Sequence, residues 1–247
     1  EFRRVLFRSQ AKITVVVYPK TMVEGYYNLI RELKCNAVAL DISSNSINKL
    51  FNDNIKINDE SYSLEDTVAV IDLGHDFTNV NIISDGNVLF TRIINYGGSH
   101  IDVDIAEQLS ISEEEAEQRK IKDCNLEREA LSDIQSSMVN DIAKAQVREW
   151  IREIEKLLNY YKNKEQGNKI DKIYIYGGSS NLKGIEMFMK DIVNLPVTQI
   201  HSLSNVNCSK INAANVESAR IDEELSKYLN AIGAIIRRSE KRRVGKE

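Results

Sequence analysis

Asp72, Gly74 and Thr78 stand in the run Ile71–Thr78, IDLGHDFT, where an apolar strand delivers a carboxylate to its end, a glycine follows and a hydroxyl opens the next strand. This spacing suits a phosphate clamp. With no side chain at position 74, backbone amides can approach phosphate oxygens, and tight turns of this kind form anion-binding nests. Asp72 at the lip could hold a magnesium ion through water, because Mg²⁺ favours carboxylates and keeps part of its hydration shell. The same letters also fit a plain Asp-Gly turn with no ligand.

Three more glycine-marked segments follow. Tyr174–Asn181, YIYGGSSN, sets a diglycine, Gly177–Gly178, between a strand and a helix start. Such a turn directs free amides and the positive end of the helix dipole at a ligand, and lets a flat base or ribose lie on bare backbone. It fits equally well a strand-to-helix turn capped by Ser179 or Ser180. Tyr96–Ile105, YGGSHIDVDI, carries a second diglycine before a helix, and Ala231–Ala234, AIGA, is a small-residue patch in the last helix. Gly233 there costs about 1 kcal/mol against alanine, which makes sense where something packs closely, such as a sheet.

The elements that must position these residues follow from periodicity. Lys12–Tyr18 (KITVVVY) predicts a buried strand closed by Pro19, and Thr21 a capped helix with Val23, Tyr26, Tyr27, Ile30 and Leu33 at helical spacing. Ala37–Ile42 predicts a second strand, Ile47–Phe51 part of a short helix, and Asn52–Asp66 a loop or linker. Thr67–Asp72, Thr78–Ser84 and Asn87–Asn95 are strands, the last two joined by an Asp85–Gly86 hairpin turn. A helix runs from Ser99 or His100 to Leu109, and Ser112 with Glu115 three residues on opens another. Asn125–Met138 reads as a polar helix and Asp141–Lys164 as a long amphipathic one. Lys172–Tyr176 is a strand, Leu182–Ile192 a helix, Val197–Ile200 an edge strand, and Glu223–Ile236 the last helix. Strands and helices in this order make a layered α/β domain with a mixed sheet.

Composition sets the bounds. The 247 residues are 42% hydrophobic and 28% charged, as in ordinary globular proteins, and no apolar run reaches the roughly 20 residues of a membrane helix. Three separated cysteines without a CxxC argue for reduced thiols in the cytosol and against a disulfide framework or zinc site. The three histidines are also scattered and predict no metal cluster. Glu1–Ser9 and Arg238–Glu247 break the composition of the rest and read as non-native tails. They carry +2 and +3 of charge, leaving −9 on residues 10–237 against −4 for the whole chain. A basic tail for nucleic acid or anionic lipid is the other reading, but a core this acidic is a poor nucleic-acid binder.

The linear series of the four segments resembles the actin/FtsA-like ATPase superfamily. IDLGHDFT is similar to its second phosphate motif, YIYGGSSNLKG to its adenosine motif, and YLNAIGAIIR to its second connecting helix. More narrowly, the stretches from VVVYPKTMVEGYYNLIRELKCNAVALDISSNSI to DIAEQLSISEEEAEQRK resemble the PilM family of type IV pilus assembly, and the likeness runs from about Ile13 to Arg237. The resemblance implies an α/β, actin-like (ribonuclease H-like) ATPase fold with ATP and Mg²⁺ between two lobes. Asp72 would be the magnesium-side carboxylate, Gly74 and Thr78 would contact phosphates, and Gly98 would line the cleft. Glu117 and Lys120 would reach the ribose or base, unless they are only a surface ion pair one turn apart. Gly177, Gly178 and Ser179 would hold the adenosine.

The expected organisation is a tail at 1–9, the end of a first lobe at 10–55, a linker at 56–66, an essentially complete second lobe at 67–237 with a helical subdomain about 106–169, and a tail at 238–247. The first-lobe D-x-G phosphate loop has no counterpart here, nor has the helical insert that in PilM receives an N-terminal peptide of its membrane partner PilN. The chain is therefore expected to hold half a nucleotide cleft, to expose apolar surface of the isolated lobe, and to turn over no ATP alone; the full-length protein would be at most a slow ATPase. The implied function is a cytoplasmic scaffold, peripheral at the inner membrane through PilN-like and other pilus components, without nucleic-acid binding or membrane insertion. The alternatives are an FtsA-type cell-division protein, whose membrane helix has no counterpart here, and a sugar or acetate kinase of the same fold.

Overall fold

In the computed structural model the described residues are 15–37, 40–51, 55–127, 134–164, 167–204, 206 and 218–236, without the side chains of 218–223. They fall into two compact units that divide between Leu40 and Asp41. The first contains one helix, α1 (Lys20–Glu32). It starts one residue before Thr21, with Pro19 at the cap position and no side-chain cap, so the capping role expected of Thr21 is not taken. Residues 15–18 of the expected strand are exposed and not in a strand, Val17 by 86%. A β-branched run becomes a strand only when a neighbour takes its backbone groups, and 15–18 have none among the described residues. Residues 12–14 lie outside the described residues, as does most of the polar stretch after Ile200, expected to be loop as far as Asn215.

The second unit is built on a five-stranded sheet ordered β5-β4-β3-β6-β7: β3 (Val68–Leu73), β4 (Thr78–Ser84), β5 (Asn87–Ile94), β6 (Lys172–Tyr176) and β7 (Val197–Gln199). The β3–β4–β5 pairings are antiparallel and β3–β6–β7 parallel, so the sheet is mixed. Asp85 and Gly86 turn the β4–β5 hairpin at φ 49° and 67°, the left-handed pair a two-residue turn needs. A small second ladder, β1 (Lys56–Ile57) with β2 (Glu60–Ser61), occupies the segment expected as linker, and Ile57 and Tyr62 there are buried.

Strand period sorts the central residues into two apolar layers. Ala69, Ile71 and Leu73 with Ile173 and Ile175 pack beneath α3 (Gly98–Leu109), α4 (Glu113–Asp123), α5 (Ile134–Lys164) and α6 (Ile185–Val193). Val68, Val70, Tyr174 and Tyr176 face α2 (Ser43–Leu50), α7 (Ser218–Ile235) and the small ladder. The 31 residues of α5 span about 46 Å, and its buried side is the expected 3–4 stripe through Val147, Trp150, Ile154 and Leu158. The polar helix expected at 125–138 is not formed at its start. Asn125 instead bridges to Lys183, 128–133 lie outside the described residues, and 134–138 belong to α5. The helix expected from Leu182 is a 3-10 turn at Gly178–Asn181 followed by α6, because Gly184 takes φ 82° between them. At Gly233 an added Cβ would sit 2.1 Å from the Ser46 carbonyl, so the close partner is the backbone of α2 and not a sheet. No helix of the described residues is long and apolar enough to cross a membrane.

Candidate functional site

Three glycine-marked turns meet at one end of β3 and β6. The first is the β3–β4 turn, where Gly74 N donates to Phe77 O at 3.2 Å. The Gly74 carbonyl then accepts from Gly98 N at 3.0 Å and from the Ser179 hydroxyl at 3.0 Å. Its neighbour His75 O accepts from both the amide and the hydroxyl of Ser99 at 2.9 Å. One turn thus receives the start of α3 and the end of β6. Side chains would block this meeting: a Cβ on Gly97 would lie 2.2 Å from His75 O, and one on Gly98 2.5 Å from Ser179 Oγ.

The two glycines after β6 differ in role. Gly177 has φ 95°, donates its amide to Ser226 O at 3.0 Å, and leaves a Cβ only 2.4 Å from Asp72 Oδ1. The fold itself requires glycine there. Gly178 has no such constraint, since a Cβ on it would meet nothing within 4 Å. It borders a groove of about 280 Å³, close to the small end of the roughly 300–1,000 Å³ common for ligand sites. Ser179 and Leu182 join Gly178 in lining it, α4 contributes Glu117, Lys120 and Ile121, and His75, Lys183 and Lys227 bring further charge or potential charge.

Asp72 lies beyond Gly177 and is not among the groove-lining residues. Strand period turns it to the α7 side, where Asn230 Nδ2 donates to its Oδ2 at 2.8 Å. Tyr176 OH donates to Asn230 Oδ1 at 3.0 Å and so fixes which way the amide faces. Burial pushes the Asp72 carboxyl up to about 6, although hydrogen bonds from Asn230 and Asn79 pull the other way. This part-buried carboxylate is met only by neutral donors.

Two expected contacts do not form as read. Thr78 is fully buried, donates to Tyr96 O at 2.7 Å and accepts from Trp150 Nε1 at 2.7 Å. Its hydroxyl supports the turn from below and does not reach the groove. Lys120 lines the groove, but its ammonium donates to Asp102 Oδ2 at 2.6 Å and to Gly98 O at 3.1 Å. It ties α4 to α3, and the partner is Asp102 instead of Glu117. Burial raises the Asp102 carboxyl even with Lys120 beside it. Glu117 is exposed at the groove. Cys124 also borders the groove, but burial pushes its thiol up to about 11, so it stays protonated at neutral pH.

Sequence reasoning missed Asp102 and Asn230. A signal for the first existed: Gly98, Ile101, Asp102, Ile105 and Ala106 form one helical stripe, and an acid on an apolar stripe needs a buried partner. Asn230 carried no comparable signal, since its partner is 158 positions away.

Residues 9–239 match the family described as Type IV pilus assembly protein PilM. Among solved structures, the chain is similar to the PilM-PilN type IV pilus biogenesis complex, with 17% identity, TM-score 0.64, and coverage of 85% of this chain and 56% of that one. It is similar to MreB5 of Spiroplasma citri bound to AMPPNP, with 17% identity, TM-score 0.61, and coverage of 88% and 64%. The ethanolamine utilization protein EutJ from Carboxydothermus hydrogenoformans gives 14% identity, TM-score 0.58, and coverage of 87% and 61%. The chain spans less than two thirds of the length of each of these structures. At these identities the likeness carries the fold, which is that of the actin-like ATPases. The family match runs through all four glycine-marked segments, and the chain belongs to the type IV pilus assembly protein PilM family.

Proposed function

We propose that this chain supplies the adenosine-side face of a magnesium–ATP site in an actin-fold scaffold of the type IV pilus inner-membrane complex. The observation that carries the reading is Gly178. Neither its backbone nor its packing calls for glycine, yet it lines the groove. A flat nucleoside on bare backbone explains it. In this reading Gly178 and Ser179 bear the adenosine, Glu117 accepts from sugar hydroxyls, Gly98 closes the cleft, and Gly177 shapes the turn. The Gly74 turn faces the phosphates. Magnesium held by Asp72 through water would neutralise phosphate charge. The resemblance to nucleotide-bound MreB5 supports the assignment.

Residues 67–237 form the second lobe, with a helical subdomain about 106–169, 10–55 the end of the first lobe and 56–66 the link. Nucleotide shifts the population between open and closed lobes and thereby partner binding. The partners are the N-terminal peptide of a PilN-like membrane protein and other inner-membrane pilus components, reached from the cytoplasmic face. Calorimetric titration of the full-length gene product with ATP, with and without magnesium, tests the site. Saturable, magnesium-dependent binding that weakens at least about tenfold in Asp72→Ala is expected, an effect of about 1.4 kcal/mol. Absence of such binding in the intact protein, or an unchanged Asp72→Ala, rejects it.

A further inference from the structure

We propose that His75, Asp102 and Glu117 form a site for a first-row transition-metal dication of the zinc class at the rim of the groove. The three come from the β3–β4 turn, α3 and α4, and one ligand atom of each lies within 4.8 Å of the other two. Their separation in the chain hides the set from any sequence motif. His75 has an anchored root, since its carbonyl accepts from both the amide and the hydroxyl of Ser99, while its imidazole is exposed.

Asp102 is the independent sign of a ligand. It is 3% exposed, Lys120 donates to its Oδ2, and its Oδ1 is buried with no hydrogen-bond partner. A buried carboxylate oxygen without a donor calls for one, and a cation shared with His75 and Glu117 meets that need without displacing Lys120. One imidazole nitrogen and two carboxylate oxygens, with a fourth position for water, suit Zn²⁺ at bonds of about 2.0–2.2 Å. His75 and Glu117 are both exposed, so rotation of their side chains closes the remaining gap. The imidazole argues against magnesium and calcium, which take oxygen donors.

Chelator-stripped protein titrated with Zn²⁺ by calorimetry, without nucleotide, is the test. One equivalent should bind at micromolar concentration, and His75→Ala and Glu117→Gln should each weaken it about tenfold or more. Both side chains are exposed, so these variants keep the fold. His201→Ala, at an exposed histidine elsewhere, should change nothing. Co²⁺ in place of zinc should give a visible d–d band that disappears in His75→Ala. No saturable zinc binding, or binding unchanged in either His75→Ala or Glu117→Gln, overturns the site. So does equal binding of Mg²⁺ that ignores His75. Because nucleotide is absent throughout, failure here leaves the ATP reading standing, and the reverse holds too.

Discussion

Asp72, part-buried near the end of β3, and Asp102, buried within α3, are two carboxylates that the fold treats differently. Burial raises the proton affinity of both. Asp102 is given a cation of its own, Lys120, at 2.6 Å with both side chains almost wholly buried. Asp72 is given the amide of Asn230, held in place by the Tyr176 hydroxyl. A carboxylate paired with a lysine is part of the architecture. One supported only by neutral donors costs stability at neutral pH, and the cost makes sense where a cation comes from outside the chain. The contrast separates a carboxylate that ties two helices together through an ammonium from one held by a side-chain amide.

The comparison breaks most violently at Lys120. Lys120→Met should leave Asp102 buried and unpaired, a loss of about 3–5 kcal/mol, and lower the thermal midpoint by roughly 10 °C for a chain of this size. Adding Asp102→Leu should restore most of it, because an apolar pair of similar volume is often as stable as a buried ion pair. Calorimetric melting of the single and double variants decides. A midpoint within about 2 °C of the wild type in Lys120→Met would show that the pair is not structural.

Asp72 predicts the opposite sign. Its carboxyl ionises near 6 in the folded chain against 3.8 in an unstructured one, so the folded state holds that proton more tightly. The stabilising contribution is complete below about pH 3.8 and is lost as pH rises through 6. At about 1.4 kcal/mol per pH unit, the loss approaches 3 kcal/mol. Asparagine at this position can still accept from Asn230 and has no proton to lose. In magnesium- and nucleotide-free buffer, Asp72→Asn should therefore be the more stable protein at pH 7.5, with the gain vanishing below about pH 4. Urea unfolding across that range measures it, and a gain that ignores pH would refute the account.

How much of this was legible follows the range of the interactions. Local rules worked: Asp85–Gly86 made the left-handed hairpin turn, Ser112 accepts from Glu115 N at 3.2 Å, and the α5 stripe is where the spacing put it. The glycine positions were visible, and so was their clustering once the family series was read. Partner choice was not visible. Lys120 and Glu117, one turn apart, looked like a pair, while the ammonium goes to a residue 18 positions away. Thr78 looked like a phosphate ligand because its spacing said nothing of Trp150, which takes its hydroxyl from 72 positions away. The strand expected at residues 12–18 failed over 15–18 for a related reason: propensity describes a segment, and a ladder needs two.

The smallest effect tests the border between the two regions, the diglycine itself. Gly177→Ala forces a Cβ onto a backbone at φ 95°, 2.4 Å from Asp72 Oδ1 and 2.7 Å from Leu73 O. It should cost about 1–3 kcal/mol and disturb Asp72 directly. Gly178→Ala meets open space and ordinary backbone, so its stability should stay within about 0.5 kcal/mol of wild type. On the proposed reading its methyl group would nevertheless stand where a base or sugar would rest. The pair thus separates fold from function at adjacent positions: Gly177→Ala should lower the melting midpoint, and Gly178→Ala should lower ATP affinity in the full-length protein while leaving the midpoint alone. If Gly178→Ala binds nucleotide as the wild type does, the groove is not the adenosine seat, and Gly178 would have to be explained by something other than a ligand lying upon it.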